Sequence, residues 1–168
     1  PYGIDIHGNT IYEKSSLKEG TLPTKVSEIF EPDEITETYT ISDRMWAGHQ
    51  ARKARNKANG KGFGYSKYFG DSNYCSTISA RYWKDGSEIL IDQSDKNLNP
   101  RTLTPVEAGR LQGYRILGHG WKIKECANNQ NYNDTNPVFQ IVVPKKEAYR
   151  QFGNSVAVPV IKRLSQEI

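Results

Sequence analysis

Pro100-Arg101-Thr102-Leu103-Thr104-Pro105-Val106-Glu107-Ala108-Gly109-Arg110-Leu111-Gln112-Gly113-Tyr114 spells out a short helix with its start and stop. Thr104 is placed to cap, Pro105 suits the first helical position and Glu107 can close a capping box. Gly113 stops the helix. Working outward, Thr77-Ile78-Ser79-Ala80-Arg81-Tyr82-Trp83 and Glu88-Ile89-Leu90-Ile91 flank Lys84-Asp85-Gly86. An Asp-Gly between two such runs predicts a β-hairpin over 77–92. Ile78, Ala80 and Tyr82 would share one face, Arg81 and Trp83 the other. Downstream, 115–137 reads as loop with an Asn-rich run at 128–136, Val138 to Val143 as an apolar strand, and Ser155 to Glu167 as a final helix. Pro159 should kink that helix or delay its start.

Further upstream, residues 43–59 predict a helix capped by Ser42 or Asp43 and ended by Asn59-Gly60. Met45, Trp46 and His49 fall at helical spacing and are expected to face a core. Arg52, Lys53, Arg55 and Lys57 follow with no acid before Lys61, so their charges repel unless solvent or an anion neutralises them. Gly60-Lys61-Gly62-Phe63-Gly64-Tyr65 is a loop whose backbone can approach a ligand closely. It is no dinucleotide fingerprint, because it follows a basic helix and precedes a strand-like 65–69. Residues 1–42 read as an irregular lead-in with a short helical piece over 24–30.

The chain has 168 residues, within the ~100–200 of one domain. Only 36% are hydrophobic and the mean hydropathy is -0.74, which predicts a modest core. A net charge of +4 and a pI near 9.0 suit an anionic partner such as nucleic acid, or merely surplus surface lysines. Cys75 and Cys126 make no disulfide framework, and His7, His49 and His119 show no metal-ligand spacing. Both thiols are expected to be reduced and structural. No apolar run approaches the ~20 residues that span a bilayer, and no signal-peptide pattern is seen. A first residue Pro1 fits a truncated or processed chain.

The 100–114 block and a second one, Tyr149-Arg150-Gln151-Phe152-Gly153-Asn154-Ser155-Val156-Ala157-Val158-Pro159-Val160, together resemble the last two sequence blocks of the DNA cytosine-5 methyltransferases. Residues 39–65 and 77–92 also resemble that family's target-recognition region. The spacer from Gly113 to Tyr149 is longer than the family pattern, and Tyr114-Arg115 stands where Phe-Pro or Tyr-Pro is commoner. The family's Pro-Cys nucleophile block has no match: Cys75 follows Tyr74 and Cys126 follows Glu125.

The resemblance implies an α+β fold, a small strand-rich DNA target-recognition domain. Its C-terminal helix would pack on an α/β S-adenosylmethionine-dependent domain absent from this chain. Residues 1–147 would form the small domain, including the helix block 101–113, and 148–168 a segment returning to the catalytic domain. Asn154, Ser155 and Val156 match the block that lines the S-adenosyl-L-methionine pocket, through a turn expected at a helix start. Arg52, Lys53, Arg55, Lys57 and Lys61 are expected at DNA phosphates. Phe63 or Lys61 is the candidate wedge behind a flipped base. Thr77 would meet the backbone of the extruded nucleotide, Arg81 and Trp83 base edges, and Arg101 and Arg110 would brace loops or meet phosphate.

The implied partners are double-stranded DNA and an N-terminal catalytic half or subunit. No catalytic residue is assigned here, and the isolated chain is expected to transfer no methyl group. A cytoplasmic, nucleoid-associated bacterial setting within a restriction–modification pair fits that family. A non-catalytic DNA-binding module and a decayed remnant remain as alternatives.

Overall fold

The computed structural model describes residues 25–116 and 139–166. The lead-in before 25, Cys126, the Asn-rich run and Val138 lie outside the described residues.

Five α-helices are described: α1 (Asp33–Thr36), α2 (Asp43–Ala58), α3 (Pro105–Leu111), α4 (Lys145–Asn154) and α5 (Val158–Ser165). A 3-10 turn, Val26–Ile29, opens the described chain and buries Val26 and Ile29. Three two-residue strands form one sheet: β1 (Lys67–Tyr68), β2 (Leu90–Ile91) and β3 (Arg101–Thr102). β1 runs parallel to β2, Lys67 opposite Leu90, and β3 runs antiparallel to β2, Ile91 opposite Arg101. The fold is therefore mixed helix and sheet, with far less strand among the described residues than a strand-rich domain requires.

α3 forms as its sequence dictates. Thr104 Oγ1 accepts from Glu107 N at 3.1 Å, and Glu107 Oε2 accepts from Thr104 N at 2.9 Å, which completes the capping box. The chain turns away at Gly113, whose φ is 82°. Ser42 Oγ likewise caps α2 by accepting from Met45 N, and Asn59 ends it.

The core joins segments far apart in sequence. Ile78, Tyr82, Ile89, Ile91, Leu103 and Val106 meet Ala148, Tyr149 and Phe152 of α4. Tyr82 donates to Ile89 O at 2.6 Å and accepts from Leu103 N at 2.8 Å, so its buried hydroxyl is fully engaged. Because α4 supplies part of this core, no packing break falls at the expected boundary after residue 147.

Three expectations change. No hairpin spans 77–92. Residues 80–85 wind into turns, with Gly86 N donating to Tyr82 O at 3.0 Å in helical fashion. The expected return strand pairs with β1 and β3 instead. Residues 139–143 form no strand; Phe139 N reaches Arg115 O at 2.8 Å. The expected final helix forms as α5 with its start delayed to Val158, but the turn before it is not at a helix start. Asn154 ends α4 and Ser155 is its C-cap, so the Gly-Asn-Ser turn lies at a helix end, not a start. Pro159 is the second residue of α5, in the first turn where its missing N–H costs nothing.

Candidate functional site

The two sequence blocks meet in space. Gln112, just past α3, donates from Nε2 to Phe152 O at 3.1 Å and accepts from Val158 N at 2.8 Å. The end of the first block thus fixes the α4–α5 corner where Asn154, Ser155 and Val156 lie. Ser155 Oγ donates to Phe152 O at 2.8 Å. Asn154 and Val156 are exposed, and the Asn154 side chain has no hydrogen-bond partner among the described residues. This corner can offer an amide and a hydroxyl lone pair to a polar ligand.

Arg101 and Arg110 are engaged with the protein itself. Arg101 is buried, its guanidinium forked onto Glu107 at 2.7 and 2.9 Å. Arg110 donates to Ile116 O at 2.8 Å and to Ile29 O and Phe30 O at 3.1 and 3.2 Å. Both brace loops, one of the two roles expected of them, and the buried Arg101 guanidinium is turned to Glu107 rather than to a phosphate.

On α2 the basic run divides. Arg52 is half-buried. Its Nη1 meets Asp85 Oδ2 at 2.9 Å, and its Nη2 meets Gly64 O at 2.9 Å and His49 Nδ1 at 3.0 Å. Arg52 therefore clamps the glycine loop to the 80–86 turns rather than standing free for phosphate. Because arginine only donates, His49 Nδ1 accepts and its buried Nε2 carries the proton, with no partner in reach. Burial, and secondly the Arg52 cation, hold His49 below its ordinary pKa. At Asp85, burial opposes ionisation, but Arg52 and Ser87 outweigh it and keep the carboxyl below its usual range.

The other basic residues face outward. Lys53 is exposed, with Nζ 4.2 Å from the Tyr65 ring centroid and 3.4 Å from Tyr65 O. Arg55, Lys57 and Lys61 are exposed and have no acidic partner among the described residues. The loop beside them is held tightly: a Cβ on Gly64 would lie 2.5 Å from Lys53 Cβ and 2.6 Å from its Cα. Asn56 Nδ2 donates to Phe63 O. On this pinned loop the Phe63 side chain projects, 51% exposed. Thr77 and Arg81 are exposed, and Trp83 is partly so. Arg81 and Trp83 share no strand face, because that segment is turned rather than extended. Burial pushes the Cys75 thiol up to about 11, away from nucleophilic use at neutral pH.

A family model for C-5 cytosine-specific DNA methylases matches residues 5–115 and 121–168. This chain belongs to that family. Among curated members, it is 49% identical over 147 residues to the Type II methyltransferase M.NlaX of Neisseria lactamica, covering 86% of this chain and 39% of that protein. It is 48% identical over 145 residues to M1.ScrFI of Lactococcus lactis subsp. cremoris, covering 86% and 31%. The chain thus spans well under half the length of these relatives. In fold it is similar to the S. pombe Dnmt2 methyltransferase, with a TM-score of 0.56, 16% identity and coverage of 90% of this chain and 43% of that one. Within this cytosine methylase chain, the sequence reading missed α4 and the side chains it delivers. The signal was available: Pro144 before Lys145-Lys146, then Ala148, Tyr149 and Phe152 on one helical face.

Proposed function

We propose that this chain is the target-recognition and C-terminal part of a DNA cytosine-5 methyltransferase. It grips double-stranded DNA while a separate catalytic part of the enzyme carries the nucleophile. The observation that carries the reading is the exposed cations of α2, with no acidic partner among the described residues, leading into a pinned loop with an exposed Phe63. Lys53, Arg55, Lys57 and Lys61 contact phosphates, which gives affinity and salt dependence rather than sequence choice. A base must leave the helix to be modified, and Phe63 fills the space it vacates. Thr77 holds the extruded nucleotide's backbone, and Arg81 is the exposed side chain best suited to reach a base edge.

S-adenosyl-L-methionine would supply the methyl group. Asn154 fits its polar end because its amide is exposed and unpartnered, Ser155 because its oxygen keeps free lone pairs, and Val156 gives apolar contact. Most of that pocket would belong to the catalytic part. The exposed Val156, Val160 and Ile161 support this, since an apolar face of that kind marks an interaction surface. Residues 148–168 would thus serve the small domain's core through α4 and the catalytic part through α5. No described helix is long and apolar enough to cross a membrane. The relatives' names, Type II methyltransferases of bacteria, fit a bacterial DNA-modification setting.

The test is fluorescence anisotropy with labelled duplex DNA. The chain should bind, and an Arg55→Gln/Lys57→Gln variant should bind more weakly with a shallower salt dependence. A chain that leaves duplex DNA unbound at low salt contradicts the proposal.

A further inference from the structure

Trp83 lies beneath two lysines. Lys146 Nζ is 4.4 Å from its ring centroid and Lys84 Nζ 5.5 Å. The neighbouring Lys145 places Nζ 3.9 Å from the Tyr39 ring and 6.0 Å from that of Tyr149. Lys84, Lys145, Trp83 and Tyr39 border a cavity of about 220 Å³ between α2, the 80–86 turns and α4. The one carboxylate on its wall, Asp85, is already paired with Arg52 at 2.9 Å. None of the three lysines has an acidic partner among the described residues.

Lys84 and Lys146 reach one indole from distant segments, with Lys145 next in sequence over Tyr39, and like charges in one neighbourhood repel. The aromatic faces offset part of that repulsion, and an anion would offset the rest. Partial burial holds the Lys145 pKa below its ordinary value. Lysine is a compact point charge, suited to a phosphate oxygen.

Resting on the DNA-recognition reading above, we infer that Lys84, Lys145 and Lys146 form a seat for a backbone phosphate of the bound DNA, with Trp83 as its floor. The seat is a second anchor, built by α4 and separate from the basic face of α2.

The experiment measures binding of the full chain to two unrelated duplexes over a range of KCl concentrations. The Lys84→Gln/Lys145→Gln/Lys146→Gln variant, checked for folding by circular dichroism, should bind both duplexes more weakly by similar factors. Its slope of log K against log salt should be shallower by roughly 0.9, for the one phosphate no longer neutralised. The corresponding triple Lys→Arg variant should restore the slope. A Gln variant with the wild-type slope, or a loss confined to one duplex, overturns the inference while leaving DNA binding intact. A wild-type chain that binds neither duplex overturns the DNA-recognition reading and the inference with it.

Discussion

Arg101 and Glu107 form a forked ion pair in the interior, their side chains 5% and 0% exposed. Glu107 also accepts from Thr104 N and Glu31 N, both at 2.9 Å, so one carboxylate ties together β3, the α3 cap and the segment before α1. Breaking a buried pair by removing one partner costs about 3–5 kcal/mol, because the other charge is stranded. The two sides should not be equal. Arg101→Met leaves Glu107 with its two backbone donors. Glu107→Leu strands the guanidinium over the Phe30 ring and orphans both N–H groups. Glu107→Leu should therefore lower the urea midpoint more than Arg101→Met. Equal or negligible shifts would disagree with this network.

Gly153 packs against the chain at Ser79 and Ala80. A Cβ there would lie 2.3 Å from Ala80 N and from Ser79 C, backbone that cannot swing aside. Gly153→Ala should cost about 1–3 kcal/mol by overpacking. Gly62 has nothing within 4 Å of such a Cβ, so Gly62→Ala should stay within roughly 0.5 kcal/mol of the parent. Paired denaturation curves decide it.

Arg52 gives a local prediction. Arg52→Ala removes the bonds to Gly64 O and Asp85 together. Amide exchange of residues 60–65 should then accelerate, with far less change in the core around Tyr82. Protection of the loop equal to the parent's would show that the close approach of Gly64 to Lys53 suffices alone.

His49 makes stability depend on pH. Its folded pKa lies below the ordinary 6.5, through burial first and the Arg52 cation second. Between those two values the unfolded chain binds more protons than the folded one. The His49 contribution is therefore full above about pH 6.5 and is lost as pH falls towards the folded pKa. Urea midpoints should decline over that window in the parent and be flatter in His49→Gln.

α3 and α2 were legible because their signals are local. Thr104, Pro105 and Glu107 act on their own backbone, as do Ser42 and Asn59. The 77–92 segment misled because its outcome is tertiary. Asp85 is drawn to Arg52 across 33 positions, and Leu90–Ile91 finds better partners in β1 and β3 than in the segment before it. The same limit governs the site. Basic residues on α2 are visible in sequence, but their division into a clamp, Arg52, and exposed cations depends on what packs beside them. For Arg101, the choice between bracing a loop and meeting phosphate depends on Glu107, which encloses its guanidinium. Lys84 and Lys146 are brought to the same indole by the fold alone.

The α5 face gives the last variant. Val160 and Ile161 are 52% and 50% exposed, so Val160→Asp/Ile161→Asp should leave the chain folded by circular dichroism. If α5 docks on the catalytic part, the same change should weaken co-purification with that part at least tenfold. Undiminished co-purification would remove α5 from the contact.

The most direct test is methyl transfer from labelled S-adenosylmethionine to mixed-sequence DNA. It compares this chain alone, the part of M.NlaX that this chain does not cover, and the two mixed. The account predicts incorporation only in the mixture. Incorporation by this chain alone would contradict it, because a nucleophile would then have to exist among residues where none is assigned.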